Sequence, residues 1–365
     1  MAKAAAVLAV FGVLAFAQLA FGGADQAMTW NVAVGEQGKP PAGTPKGTSL
    51  NQYFPGRLTI NAGDKVTFTN LGFHTVSYLA GKPVQPFLGP AKGEVYEGIS
   101  DSAGQPFFFD GEQKFTYNAA FVAQPFGPKV IATAPASTGP IPALSPKKPV
   151  KATYTFPKTG KFKLLCLIHP KMGMVVTVKP KGAAVETPEE VAARAKAETD
   201  AAWAKADVLV ALKPPRNTIY MGVDSPQASG GRTTILDFVP SLTTVKVGTR
   251  VKFSASRAPT EAHNVGFGPV KYLNKLIKQT EFFPFGPPNP PNQVTPFFIY
   301  GSDPPGTPYA GSTMHGNGFY ATPLADGLPA PPPNAFSVTF AKAGKYHFIC
   351  MLHGPDMAAD IRVTK

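Results

Sequence analysis

A duplicated cluster of potential metal ligands constrains the fold of this chain more than any other feature of its sequence. The first copy runs from Cys166 to Met172 and the second from Cys350 to Met357, and each contains one Cys, one His and one Met. The chain has 365 residues and no other cysteine. A thiolate, imidazole and a weak thioether suit copper, and a second His in each set would complete a blue-copper site.

A second histidine for each cluster lies far upstream, two positions before the valine that begins a short apolar segment. These upstream candidates are His74 and His263. The sequence therefore predicts two four-residue ligand sets. They are His74, Cys166, His169 and Met172 (alternatively Met174) in the first half, and His263, Cys350, His353 and Met357 in the second.

The axial methionine of the first set has two candidates, Met172 and Met174. In the second copy, apolar strand residues lie four and six positions after Met357. In the first copy, apolar residues lie four and six positions after Met172. This register favours Met172 and leaves Met174 as the alternative.

The duplication covers a whole domain. Residues 54–68 match 239–253 at an offset of 185, and 156–162 match 340–346 at an offset of 184. Alternating apolar residues in the first pair, and in residues 28–34, predict β-strands and tight turns. The second copy has four extra residues before its upstream histidine. We interpret the pattern as duplication of one β-domain.

The spacing Cys-x2-His-x2–4-Met, with a distant His before a short apolar strand, resembles the cupredoxin family, which includes plastocyanin and amicyanin. This resemblance implies an all-β fold: two tandem Greek-key cupredoxin β-sandwiches, each holding one type 1 copper. The predicted organisation is a signal peptide at 1–23, cupredoxin domains at 24–182 and 214–365, and a helical linker at 183–213.

The linker contains a helix signature. Thr187, Pro188 and Glu190 are suited to the N-cap, the first helical position and a capping box. An Ala-, Glu- and Lys-rich run that favours helix follows them. A helix packed on the first domain is the alternative interpretation.

Long Phe- and Pro-rich insertions separate each upstream histidine from its cysteine. They include residues 106–109, 282–288 and 331–333. Loops of such length are usually functional or disordered, and their aromatic content argues against disorder. We predict that they cover the sandwiches or each other, with partner docking as the second interpretation.

The histidine count bears on the class of copper protein. The chain has six His and no His-x-His or His-Cys-His motif. Enzymes among the two-domain cupredoxin relatives use such motifs to hold further copper, so the resemblance implies an electron carrier rather than an enzyme. Its electron port would be the ring edges of His169 and His353, if exposed. Outside the ligand sets, strand alternation places His347 on the sheet face opposite Cys350, and His315 lies in an insertion.

Other function classes stay open at this point. One is a copper-binding or copper-delivery protein without redox turnover. Another is an interaction scaffold whose insertions bind a partner. A third is an oxidase completed at an oligomer interface, which the few spare histidines disfavour.

Charge and the N-terminal segment bear on partners and compartment. A net charge of +13 favours acidic redox partners, and without a dense Lys/Arg run or a known motif, nucleic acid is not a predicted partner.

Residues 1–23 are apolar after Lys3 and end in small residues, which predicts export to the periplasm or beyond. An uncleaved membrane anchor is the alternative. Despite export, the matching contexts of Cys166 and Cys350 argue against a disulfide.

Overall fold

The computed structural model describes residues 26–37, 39–70, 72–98, 100, 106–118, 127–139, 150–279, 293–294, 296–304, 306–311, 318–327 and 333–365. The predicted signal peptide, His315, residues 282–288 and most of 331–333 lie outside the described residues.

Strands dominate both halves of the described chain. In the first half they are β1 (Thr29–Val34), β2 (Thr48–Phe54), β3 (Arg57–Asn61), β4 (Lys65–Asn70), β5 (Ser77–Tyr78), β6 (Leu88–Val95), β7 (Gln113–Tyr117), β8 (Ala136–Ser137), β9 (Val150–Thr155), β10 (Gly160–Leu165) and β11 (Gly173–Lys179). The predicted strand at residues 28–34 is thereby confirmed as β1. Alternation explains the pattern, since in β4 Val66 and Phe68 are buried while Lys65 is exposed.

The second half repeats this order after a helical segment, except that its described residues contain no pair of strands equivalent to β6 and β7. Its strands are β12 (Thr218–Asp224), β13 (Gly231–Val239), β14 (Leu242–Lys246), β15 (Arg250–Ser254), β16 (Gly266–Phe267), β17 (Tyr320–Ala321), β18 (Ala335–Thr339), β19 (Gly344–Cys350) and β20 (Gly354–Thr364). The helices are α1 (Pro188–Trp203), α2 (Ala206–Val210), α3 (Val270–Gln279) and α4 (Pro296–Ile299). Among the described helices, none is both long and apolar enough to cross a membrane.

Two five-stranded sheets are topological copies of each other. Their strand orders are β3-β11-β10-β5-β8 and β14-β20-β19-β16-β17. In both, the strand that leads to the cysteine pairs antiparallel with the last strand of the domain, which pairs parallel with an earlier strand. The duplication predicted from the sequence is therefore present in the strand topology.

An eight-stranded sheet forms the opposite layer of both sandwiches and runs across the domain boundary. Its order is β18-β15-β12-β13-β2-β1-β4-β9, and the two halves meet where β2 pairs antiparallel with β13. The predicted strands β3 and β4 are confirmed, but they lie in different layers, so the turn between them crosses from one sheet to the other. Each sandwich has its own apolar core, which includes Trp30 and Phe68 in the first domain and Phe253 and Phe348 in the second.

The helical segment packs on both domains. Thr187 and Glu190 form the predicted capping box of α1. Val191 is buried in the first-domain core, and Ala202 packs with residues of β2. In α2, Leu209 packs against β12 and β13 of the second domain. The segment therefore connects the domains and is also part of their packing, which combines the two interpretations of its sequence.

The insertions of the two domains pack on each other, as predicted. Tyr96, Phe107 and Phe109 of the first insertion share one buried cluster with Phe297 and Phe319 of the second. The rings of Phe107 and Phe297 meet edge to face with centroids 5.0 Å apart. This aromatic cluster also covers β19, because Ile349 belongs to it. The insertions thus provide a second contact between the two halves of the chain.

Candidate metal centres

The first predicted ligand set converges inside the first domain. The ligand atoms of His74, Cys166 and His169 all lie within 4.8 Å of one another. The two imidazole Nδ1 atoms are 3.0 Å apart, and the Cys166 Sγ lies 3.5 Å from the His169 Nδ1. All three residues are buried. His74 follows β4, whereas Cys166 and His169 lie in the loop between β10 and β11, so the fold brings together residues from distant parts of the sequence.

The second set forms an equivalent cluster. The ligand atoms of His263, Cys350 and His353 also lie within 4.8 Å of one another. The Cys350 Sγ lies 3.3 Å from the Nδ1 of His353 and 3.9 Å from that of His263. Cys350, like Cys166, is a free buried thiol. This agrees with the prediction that the cysteines form no disulfide.

The candidate methionines lie at or near the start of the last strand of each domain. Cys166 donates its backbone N–H to the carbonyl of Met172 at 2.9 Å, and the register of β10 and β11 places these residues opposite each other. Met174 pairs with Leu164, one step along the same face. In the second domain, Met357 precedes the residue paired with Ile349. All three methionines are buried in the same cores as the cysteines.

Comparisons with known proteins find similarity among solved structures only. No family model and no curated protein match the chain. A plastocyanin from Dryopteris crassirhizoma is 16% identical, with 40% of this chain and 99% of that chain covered and a TM-score of 0.20. A copper nitrite reductase from Nitrosomonas europaea is 13% identical, with coverages of 93% and 95% and a TM-score of 0.19. At these identities and TM-scores the matches carry no argument about function.

The strand topology and the positions of the ligand residues define the fold of each half. The duplicated layers of strands each carry a His-Cys-His set whose buried cysteine lies at the end of the strand next to the last one, or just after it. Both halves therefore have the β-sandwich layers and the ligand pattern that the resemblance to cupredoxins implies. We call them the first and second domains below.

The protonation of each candidate centre suits a soft metal. Burial raises the pKa of the Cys166 thiol, but the His169 and His74 rings outweigh burial and hold this pKa well below its usual range. Burial lowers the pKa of His169, but Cys166 and Glu261 outweigh it and raise the pKa to about 10. In the second domain the pKa of Cys350 is likewise held well below its usual range, and that of His353 is likewise raised to about 10. A thiolate is therefore favoured without a metal, and a thiolate with two imidazoles fits copper.

Glycine backbone supports the upstream histidine of each domain. Gly35 and Gly222 have φ angles of 70° and 72°, which favour glycine. A Cβ atom at Gly35 would lie 2.5 Å from the His74 Nε2, and one at Gly222 would lie 2.5 Å from the His263 Nε2. Each ring therefore lies directly against the main chain. Sequence reasoning missed both glycines, since neither is near a ligand in the sequence.

The residue after each upstream histidine holds the cysteine loop. The Thr75 N–H points to the Cys166 Sγ at 3.4 Å, and the Thr75 Oγ1 accepts the Leu167 N–H at 2.8 Å. In the second domain the Asn264 Oδ1 accepts the Met351 N–H at 2.8 Å. These bonds fix the two ligand-bearing segments of each domain relative to each other.

Glu261 lies between the two centres, and sequence reasoning missed it. Its Oε2 accepts a hydrogen bond from the His353 Nε2 at 2.7 Å, and its Oε1 lies 3.4 Å from the His169 Nε2. Burial raises the pKa of this carboxyl, but His169 and His353 outweigh burial and hold the pKa well below its usual range. One sequence feature could have pointed to it: the second copy has four more residues before its upstream histidine than the first, and Glu261 lies just before that histidine.

The ring edges expected to form an electron port do not face open solvent equally. The His169 side chain is 8% exposed and that of His353 is 20% exposed. His169 therefore does not meet the condition of exposure that a port requires, because its Nε2 edge faces Glu261. His347 lies outside both centres, where its partly exposed ring contacts Asp360 at 3.1 Å.

Proposed function

We propose that each domain holds one type 1 copper and that the protein carries electrons. The observation that supports this most directly is the convergence of two Nδ1 atoms on a buried thiolate in each domain. When bound, copper would supply a one-electron couple, Cu(I)/Cu(II). The proposed ligands are His74, Cys166, His169 and Met172 in the first domain, and His263, Cys350, His353 and Met357 in the second.

The chain itself would hold the ligands in place and limit the access of water. The cysteines and upstream histidines are buried, and the Thr75 and Asn264 bonds fix the segments that carry them. A site held this rigidly changes little in geometry between oxidation states, which suits electron transfer. The position of Met172 opposite Cys166 supports Met172 over Met174 as the axial ligand.

An enzymatic role would need further copper ligands. Outside the two proposed sets, the sequence contains only His315 and His347. His347 already contacts Asp360 in the described structure. The supply of histidines therefore supports a carrier more than an oxidase. We further propose export through residues 1–23 and acidic redox partners, which the net charge of +13 would attract.

The test is an optical and EPR spectrum of the copper-loaded protein with copper counted per chain. We expect about two coppers per chain and the intense visible absorption of a thiolate–Cu(II) bond. Cys166→Ser and Cys350→Ser should each remove about one copper, while His347→Ala serves as the control and should remove none. Absence of the thiolate band from the loaded wild type would overturn the proposal.

A further inference from the structure

The two candidate centres face each other across the domain boundary. His169 belongs to the first domain and His353 to the second, and the carboxylate between their Nε2 atoms is that of Glu261. Glu261 is itself held from the first domain, because the Asn51 Nδ2 donates to its Oε1 at 3.1 Å. Asn51 also donates to the Thr234 Oγ1 at 3.1 Å, across the β2–β13 pair. The carboxylate thus lies in a hydrogen-bond network that spans both domains.

The arrangement of protons follows from the use of Nδ1 as the metal-binding atom. A neutral imidazole that binds a metal through Nδ1 carries its proton on Nε2. An ionised carboxylate only accepts hydrogen bonds, so it complements an Nε2–H on either side. Such an outer partner fixes the orientation of a ligand ring and increases its basicity. Here one carboxylate faces two ligand rings that belong to different centres.

We propose that Glu261 couples the two copper centres into one pair, so that an electron passes between the domains along His169, Glu261 and His353. This inference rests on the proposed function. In each transfer one centre loses an electron and the other gains it. No covalent bond forms or breaks, and both Nε2 protons stay in place. Glu261 is a positioning residue that acts through the ligand rings.

Burial and sheet pairing support an internal path. The side chains of Glu261 and His169 are 13% and 8% exposed, so bulk water has little access between them. The continuous sheet holds the domains at a fixed separation, because β2 and β13 pair over five residues on each strand. The path is asymmetric, since the bond to His353 measures 2.7 Å and the contact to His169 measures 3.4 Å. The longer contact limits the coupling.

Pulsed reduction of the copper-loaded protein tests the coupling. After one electron enters, exchange between the centres should appear as an absorbance change whose rate does not depend on protein concentration. We expect Glu261→Ala to slow this phase about 10-fold or more, and Glu261→Gln, which keeps one acceptor oxygen, to slow it less. Glu36→Gln is the matched control, because Glu36 accepts the Leu50 N–H and should leave the phase unchanged.

A second measurement reports on Glu261 without any electron transfer. In the diamagnetic Cu(I) protein, NMR of ¹⁵N-labelled histidine should show the Nε2–H signals of His169 and His353 protected from exchange with water. Protection should persist in Glu36→Gln and be lost in Glu261→Ala. Unchanged protection and an unchanged exchange rate in Glu261→Ala, with both thiolate–copper bands intact, would overturn the coupling and leave the proposed function standing. Absence of the copper bands from the wild type would instead overturn the proposed function.

Discussion

Asn264 and Met351 are joined by a hydrogen bond of 2.8 Å that ties the residue after one ligand histidine to the residue after the ligand cysteine. Both residues are buried, so removal of the Asn264 side chain leaves the Met351 N–H without its partner. We expect Asn264→Ala to lower the free energy of unfolding of the metal-free protein by about 1–3 kcal/mol. Chemical denaturation measures this change.

The matched control is Asn334→Ala, at an exposed asparagine of the same domain. A surface substitution of this kind changes stability by about 0.5 kcal/mol or less. Equal effects of the two variants would contradict a structural role for the Asn264 side chain.

Gly35 tests whether the main chain positions His74. A methyl group there would overlap the ring, so Gly35→Ala should displace His74 and reduce copper binding in the first domain. Gly63→Ala separates this effect from backbone strain, because Gly63 also has a positive φ angle, 96°, but its Cβ would meet no atom within 4 Å. We expect both variants to lose stability and only Gly35→Ala to lose first-domain copper, as counted by metal analysis in a Cys350→Ser background. Loss of copper in both would show that strain alone disrupts the site.

The axial ligand can be assigned by a pair of leucine variants. Met172 lies opposite Cys166, whereas Met174 pairs with Leu164. Met172→Leu removes a weak donor that stabilises Cu(II) more than Cu(I), so it should raise the reduction potential of the first centre. Met174→Leu nearly conserves volume and should cost less than about 1.5 kcal/mol of stability, with little change in potential. Voltammetry in the Cys350→Ser background measures both, and the reverse pattern would assign Met174.

Copper uptake should release protons and strengthen as pH rises. In the metal-free protein the Cys166 pKa lies well below its usual range, whereas the His169 pKa is raised to about 10. At neutral pH the thiol has therefore already lost its proton, while the His169 ring must lose one from Nδ1 before it can bind the metal. Affinity should rise with pH until the pH approaches that of the raised histidine pKa.

A pH indicator in weakly buffered solution measures the protons released. Because metal binding displaces protons from ligands, we expect about one proton per copper near neutral pH. His347→Ala should release the same number, since His347 lies outside the centres. Release of about two protons per copper would show that the thiol is also protonated before uptake.

The sequence was sufficient for the parts of this protein that depend on local pattern and repetition. The strands β1, β3 and β4, the capping box at Thr187 and the two His-Cys-His sets follow from alternation, spacing and the recurrence of one motif. Contacts made by single residues outside the repeated motif could not be predicted, because no periodicity or repetition encodes them. Glu261 looks like any acidic residue in a loop, and only the fold places it beside His169. The support of His74 by Gly35 is hidden for the same reason.

The pairing of β2 with β13 has a consequence for how such a chain could be divided or recombined. Each half on its own would leave one edge of a central strand without its partner, and exposed strand edges promote aggregation. A gene fragment encoding one half would therefore yield a product prone to self-association rather than an independent domain. The β2–β13 pairing therefore makes the two repeated domains depend on each other for solubility.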